Sequence, residues 1–302
     1  MRIATWNVNS LKARLEKIEW WVDRAAPDVL MLQETKLTDA DAPVMAFGMA
    51  GYDLVHHGEG RWNGVAIALR KGTAATDIVT NFGDGPVRDS GPGAESSFDE
   101  EDFNPLDEAR MLSVVANGIR FVTIYAPNGR VVGSPFYAGK LTWFERLDRW
   151  LAEAVSGPLP VVVGGDFNVA PTDADVWDPR AAHGGTHVSP KEREAFTGLL
   201  SRGLVDAYRS RHEERGRFTW WDYRAGNFHK NFGMRIDHLL VSPSVAERVV
   251  FAEIDREARK GKPVPSDHAP LLIDLDEPGR PIDAGWESAG DRIAARQGIR
   301  PG

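Results

Sequence analysis

The chain has 302 residues, 42% of them hydrophobic and 26% charged, and no cysteine, so it can bury a sizeable core but has no disulfides or thiolate metal sites. No apolar run approaches the ~20 residues of a membrane span, and MRIATWNVNS lacks the basic-then-apolar form of an export signal, which fits a cytoplasmic protein. The net charge of −8 looks wrong for a partner of polyanions, yet it is concentrated in residues 84–108, with nine acids and one base, while 109–149 carry six bases against two acids and 187–235 carry ten against six.

Residues 2–8 alternate as a strand, and Asn9-Ser10 can cap a helix running to about Ala25. Pro27 closes that helix, and DVLMLQET follows as a buried strand with Glu34 near its end. Residues 52–56 and 64–70 read as a pair of strands. The stretch 83–108, rich in Gly, Pro, Ser and acids, reads as a long surface loop with an acidic insertion at 84–108, because strand-like sequence resumes at once. Residues 110–116 and 120–126 flank Asn117-Gly118, the strongest short hairpin signal. A helix over 134–155 carries Leu141, Phe144, Leu147, Trp150 and Leu151 on one stripe. The β-branched run Val161-Val162-Val163 is ended by Gly164-Gly165, which leave room for a backbone or a ligand to come close. Asp166 and Asn168 follow two apart, on one side of an extended chain. A helix near 190–202, the aromatic run 218–223, a strand over 234–242 and a last strand after Ser266-Asp267-His268 come next. From residue 277 to 302 the hydrophobic pattern is lost and a loosely attached tail is expected. Strands with helices between them, no linker and no repeat predict a single domain over 1–276. Its expected fold class is α/β: a four-layer sandwich of two mixed sheets packed face to face and flanked by helices.

Polar residues recur where strands end: Asn7 and Asn9, Glu34, Tyr125 and Asn128, Asp166 and Asn168, Asp237, then Asp267-His268. Any one of these, D-x-N included, reads equally well as an Asx turn; their recurrence at six strand ends points to a site held by rigid sheets. Carboxylates and amides without cysteine or a histidine cluster suit a hard cation, Mg²⁺ with Mn²⁺ as its substitute. Phosphodiester hydrolysis needs a cation, a group that handles water and help for the leaving oxygen. Glu34 fits the first role, Asp166 the second, and Tyr125 or a metal-bound water the third. His268 could donate to a phosphoryl oxygen if Asp237 kept it protonated.

WNVNSLKAR, LQETK, YAPNG, GDFN-APTD, RIDHLL and SDHAP occur in the order found in the exonuclease III family of apurinic/apyrimidinic (AP) endonucleases, which the chain resembles over about 1–275. That family lies within the endonuclease/exonuclease/phosphatase superfamily. The resemblance implies Glu34 as principal Mg²⁺ ligand, with Asn7 beside it and Asp267 as a further ligand. It implies Asp166 as the group that activates water, Asn168 as the amide that orients it, the pair Asp237–His268 as polariser of the phosphate, and Tyr125 at the phosphate and leaving group. Trp220, Met234 and Ile236 would line the pocket for a flipped, baseless sugar. Asn9, Asn128, Arg110, Arg130, Lys140, Arg224 and Lys230 would contact DNA, although lone surface cations are as readily only solvated, and the aromatics of FTWWDYR only core. Asn9 stands where some relatives carry a carboxylate, which favours a one-metal site. The implied reaction is hydrolysis 5′ to an abasic site in double-stranded DNA, leaving a 3′-hydroxyl and a 5′-deoxyribose phosphate, with 3′→5′ exonuclease activity and removal of 3′-blocking groups, by a monomer that touches no membrane. A superfamily phosphodiesterase or phosphatase acting on a small phosphate ester, and a DNA-binding protein without catalysis, are the alternatives.

Overall fold

A computed structural model describes residues 1–83, 105 and 108–287. Its strands form two six-stranded sheets. The first contains β1 (Arg2–Asn7), β2 (Val29–Gln33), β3 (Tyr52–His57) and β4 (Val65–Arg70), with β11 (Val249–Ile254) and β12 (Leu271–Leu275), in the order β11-β12-β1-β2-β4-β3. The second contains β5 (Thr76–Thr80), β6 (Met111–Ala116), β7 (Ile119–Tyr125), β8 (Val161–Asp166), β9 (Val205–Asp206) and β10 (Asp237–Val241), in the order β5-β6-β7-β8-β10-β9. Both sheets are mixed: β1–β2 and β7–β8 pair in parallel, and the other ladders are antiparallel.

The period of two along each strand explains the layers. Ile3, Met31, Ile67, Leu112, Val162 and Leu239 point between the sheets and share one core. Ala4, Trp6, Leu30 and Leu32 point outward to α1 (Leu11–Ala25), and Val122, Val161 and Val163 point outward to α3 (Pro135–Ser156) and α5 (Pro190–Ser201). With both faces covered, the central strands are apolar along most of their length. The four-layer sandwich expected from the sequence is therefore the architecture found.

Caps fall where the side chains provide them. Ser10, Ser134 and Ser189 accept from the third residue onward, and Ser189 with Glu192 forms a capping box at the start of α5. The hairpin turn has Asn117 and Gly118 at φ +50° and +73°, the left-handed pair that a two-residue turn needs. Three strands, β5, β9 and β11, and four short helices, α2 (Val44–Met49), α4 (Pro179–Ala182), α6 (Asn227–Lys230) and α7 (Pro243–Ala246), were not anticipated. β5 is exposed along most of its length, and β9 has only two residues, so neither leaves an apolar pattern to read.

Two expectations about segments need revision. Most of the acidic insertion lies outside the described residues, but its last residue, Glu108, is buried against Arg110 and belongs to the fold. The described part of the expected loose tail, 277–287, packs down: Trp286 is buried in the central core and its indole donates to the Ile254 carbonyl at 2.7 Å. Arg2 further donates to the carbonyl of Arg280 at 2.8 Å. Among the described residues no helix is long and apolar enough to cross a membrane.

Candidate active site

Register gathers the polar strand ends at one edge of the sandwich. Parallel pairing of β7 with β8 sets Tyr125 opposite Asp166, and antiparallel pairing of β8 with β10 sets Asp237 opposite the same residue. From the other sheet, Asn7 closes β1 and crosses the gap: its Nδ2 donates to Glu34 Oε1 at 2.8 Å and to Asp166 Oδ2 at 2.9 Å. Just beneath, Gln33 donates to Thr5 and Thr123 hydroxyls at 3.0 and 2.9 Å, pinning the two sheets together.

Glu34 and Asn168 both have φ +52°, an unfavourable conformation for a residue with a side chain. The turn at Glu34 is held by the two amides that follow it, Thr35 N to Gly64 O at 3.1 Å and Lys36 N to Asn63 O at 2.9 Å. Thr35 Oγ1 occupies the space a Cβ on Gly64 would need, 2.1 Å away. At Asn168 the backbone amide donates to Asp166 Oδ1 at 2.9 Å, which makes D-F-N an Asx turn. The two residues thus meet through a turn and not by alternation along an extended strand, as the sequence suggested. The Asx turn is present, and it aims Asn168 Nδ2 at the Ala126 carbonyl (2.9 Å) and toward Asp166 Oδ2 (3.4 Å). The glycines before it serve packing: a Cβ on Gly164 would meet Met31 Cε of the facing sheet at 2.4 Å, and one on Gly165 the Ile124 carbonyl oxygen at 1.9 Å.

Charges in this small volume are strongly perturbed. Burial, then the neighbouring Asp237 charge, raises the Asp166 carboxyl to about 7 against the pull of His268. Burial disfavours charge on His268, but Asp237, 2.8 Å from Nδ1, with Asp166 and Asp267 beyond, outweighs it and lifts the imidazole to about 10. His268 is therefore a cation at neutral pH, with Nε2 3.8 Å from Asp166 Oδ2. Burial and then the Glu34 charge push Tyr125 well above the usual phenol range, so it keeps its proton, despite Arg110 whose guanidinium lies 4.7 Å from the ring centroid.

Glu34, Asp166 and His268 each bring a ligand-type atom within 4.8 Å of the others. A cationic imidazole has no lone pair to offer, so His268 acts there as a donor. Two carboxylates and nearby amide oxygens remain, a donor set suited to a hard divalent cation. Lys36 Nζ already lies 2.9 Å from Glu34 Oε2 and 2.6 Å from Asn9 Oδ1, so these oxygens face a positive charge. Asp267 stands outside the cluster, contrary to its expected role as a ligand: its oxygens accept from Asn9 Nδ2 at 3.0 Å and Trp220 Nε1 at 3.1 Å.

Around this centre, Trp220, Met234 and Ile236 come together with Val176 and Val188 in a small apolar patch. Asn128 is exposed, with Nδ2 3.4 Å from Asn168 Oδ1, and Arg130 lies 3.7 Å over the Phe136 ring at the cleft mouth. Arg224 is 87% exposed and paired with Asp222, and Lys230 is exposed near Phe232. Two expected phosphate contacts are misassigned. Arg110 is buried, paired with Glu108 and donating to the Tyr125 carbonyl at 3.1 Å, so it braces Tyr125. Lys140 is fully buried against Glu192. Its position on the buried face of α3, with Phe136, Trp143, Phe144 and Leu147, was a signal available in the sequence. Ser266, whose hydroxyl donates to the Asn7 carbonyl at 2.7 Å, and Thr219, which accepts from Asp237 N at 3.1 Å, also brace the site and carried no such signal.

Residues 4–268 match the family model described as Endonuclease/Exonuclease/phosphatase family. The chain is 30% identical over 286 residues to exodeoxyribonuclease III of Haemophilus influenzae, covering 91% of this chain and all of that protein. Among solved structures, the 3′ phosphatase NExo from Neisseria bound to product DNA hairpin superimposes with a TM-score of 0.81 at 35% identity. An AP endonuclease from Archaeoglobus fulgidus does so with the same TM-score at 33% identity. Both comparisons cover 92% of this chain and 100% of the other.

Proposed function

The chain belongs to the endonuclease/exonuclease/phosphatase family, in its exonuclease III group, and on that premise we propose that it is a Mg²⁺-dependent AP endonuclease of DNA repair. Its substrate in this reading is duplex DNA with an abasic site, cut on the 5′ side to leave a 3′-hydroxyl, or with a blocked 3′ end. The observation that carries the reading is the juxtaposition of Asp166, poised near neutrality, with cationic His268 and with the Glu34 carboxylate, to which Asn7 Nδ2 links it. A protein that only bound DNA would have no use for a buried carboxylate kept so far from its ordinary range.

Water attacks phosphorus, and its proton passes to Asp166, whose basicity suits that transfer near pH 7. Asn168 orients the water from beside Asp166. His268 donates from Nε2 to a phosphoryl oxygen as charge develops, with Asp237 holding the ring and its charge. The bond from phosphorus to the 3′ oxygen breaks, and Tyr125, kept as a phenol, is the proton donor we assign to that oxygen. Glu34, with Asn7 and Asp166, would hold the divalent cation, which when bound neutralises charge on the phosphate. The apolar patch of Trp220, Met234 and Ile236 admits a sugar without its base, and extruding such a residue costs little stacking. A single-domain organisation that takes in residues 277–287 as well as 1–276, a monomeric state and work in the cytoplasm belong to the same reading.

The test is a duplex carrying one tetrahydrofuran abasic analogue. Nicking on its 5′ side is expected with Mg²⁺, with none in EDTA and recovery on adding Mn²⁺. DNA binding without nicking in Mg²⁺ would contradict the reading.

A further inference from the structure

Next to the loop that carries Asn168 lies a buried ion pair that the reaction as assigned does not use. Lys140 on α3 and Glu192 on α5 are both fully buried and paired with each other. Lys140 Nζ also donates to the backbone carbonyl of Asn168 at 2.7 Å and, more weakly, to that of Asn128 at 3.4 Å. The Asn168 carbonyl takes a second donor, His187 Nδ1–H, at 2.6 Å. Burial and then the charge of Lys140 keep His187 neutral, pushed down to about 4. Glu192 in turn accepts from Thr186 Oγ1 at 3.2 Å, His187 N at 3.0 Å and Ser189 N at 3.1 Å.

Three loops, 126–130, 167–170 and 186–192, therefore converge on one lysine. Gly129, at φ +80°, lies directly on its stem: a Cβ there would come 2.9 Å from Lys140 Cδ. A buried ion pair is a poor way to gain stability, because desolvation offsets its attraction. Holding a strained peptide in place is a use that fits, and Asn168 is such a peptide.

We propose that the Lys140–Glu192 pair is a positioning device for the reaction: with His187 it fixes the Asn168 peptide, and through it the Asn168 amide beside Asp166, without touching substrate. This rests on the assignment of Asn168 to the active site made above.

Lys140→Met keeps the stem and removes the charge. In single-turnover cleavage of the tetrahydrofuran duplex it should lower the rate roughly 10²-fold, the scale of a small misplacement of a reacting group. DNA affinity and its salt dependence should stay as in the wild type, whereas a lost phosphate contact would lower the salt slope by about one. In an Asn168→Ala background the same change should cost almost nothing. A weakened affinity with a reduced slope, or the full rate loss persisting without Asn168, would overturn the proposal. Should Lys140→Met not fold, Glu192→Gln must show the same rate loss and the same dependence on Asn168. The side-chain amide resonances of Asn168, recorded without DNA or metal, should move in either variant; an unchanged spectrum would also overturn it. Absence of nicking by the wild type would instead count against the functional reading, and the amide resonances would still decide the positioning.

Discussion

Asp166 carries opposite demands for folding and for chemistry. An acid whose carboxyl rises from 3.8 when unfolded to about 7 when folded binds more protons in the native state. Stability then falls as pH rises from about 4 to 7, so at neutral pH the group works against the fold. The metal-free Asp166→Asn protein should accordingly show a higher Tm than wild type at pH 7.5, with the difference shrinking toward pH 4.5. An equal or lower Tm at pH 7.5 would show that its hydrogen bonds to Asn7 and Asn168 outweigh the cost of its charge. At this scale the identities of the reacting residues were legible because each of Glu34, Asp166, Asp237 and His268 sits at a strand end in a recognisable motif. Their supports were less so. Arg110 looks like a free surface cation in the sequence, and Lys140, although it falls on the apolar stripe of α3, shows no partner there; only the fold sets Glu108 and Glu192 against them.

The element that aims the site is the start of β10 and the loop clamped to it. Arg235 donates to Asp175 Oδ1 and Asp206 Oδ2, both at 2.7 Å, and to His238 Nδ1 at 2.9 Å. His238 Nε2–H then donates to the Val169 carbonyl at 2.9 Å, one residue past Asn168. Burial opposes charge on Asp175, but Arg235 and Arg209 hold its carboxyl down at about 2. A depressed carboxyl contributes stability in full above its unfolded value near 4 and loses it as pH falls through about 2. Denaturant unfolding between pH 4 and pH 2 should therefore lose roughly 2 kcal/mol to this group alone. Asp175→Asn should be less stable at pH 6 and lack that part of the acid slope; an unchanged slope would remove the clamp from the account. Strands with apolar cores and helices with capping serines were legible as elements. β5 escaped because an exposed edge strand takes its order from the partner it pairs with.

For the whole molecule, what matters is that two sheets meet closely enough for Asn7 to bridge Glu34 of its own sheet and Asp166 of the other. Gly164 sets that approach, with Met31 and Leu239 filling the space of its absent Cβ. Gly164→Ala should destabilise by about 1–3 kcal/mol in urea unfolding, the cost of overpacking a filled core. An unchanged midpoint would show that Met31 can yield. The four layers followed from strand and helix patterning, as did the neighbouring pairs β3–β4 and β6–β7, but the order of the remaining strands did not, since the sequence carries no record of pairing between distant segments. The claim on which all three scales converge is that Asp166 acts on water in a phosphodiesterase site. The most direct test is single-turnover nicking of the tetrahydrofuran duplex in Mg²⁺ by wild type and Asp166→Asn, with DNA affinity measured in parallel. The expected result is a rate lower by about 10²–10⁴-fold, the range of general-base contributions, with affinity nearly unchanged. A variant that cuts at close to the wild-type rate would contradict it.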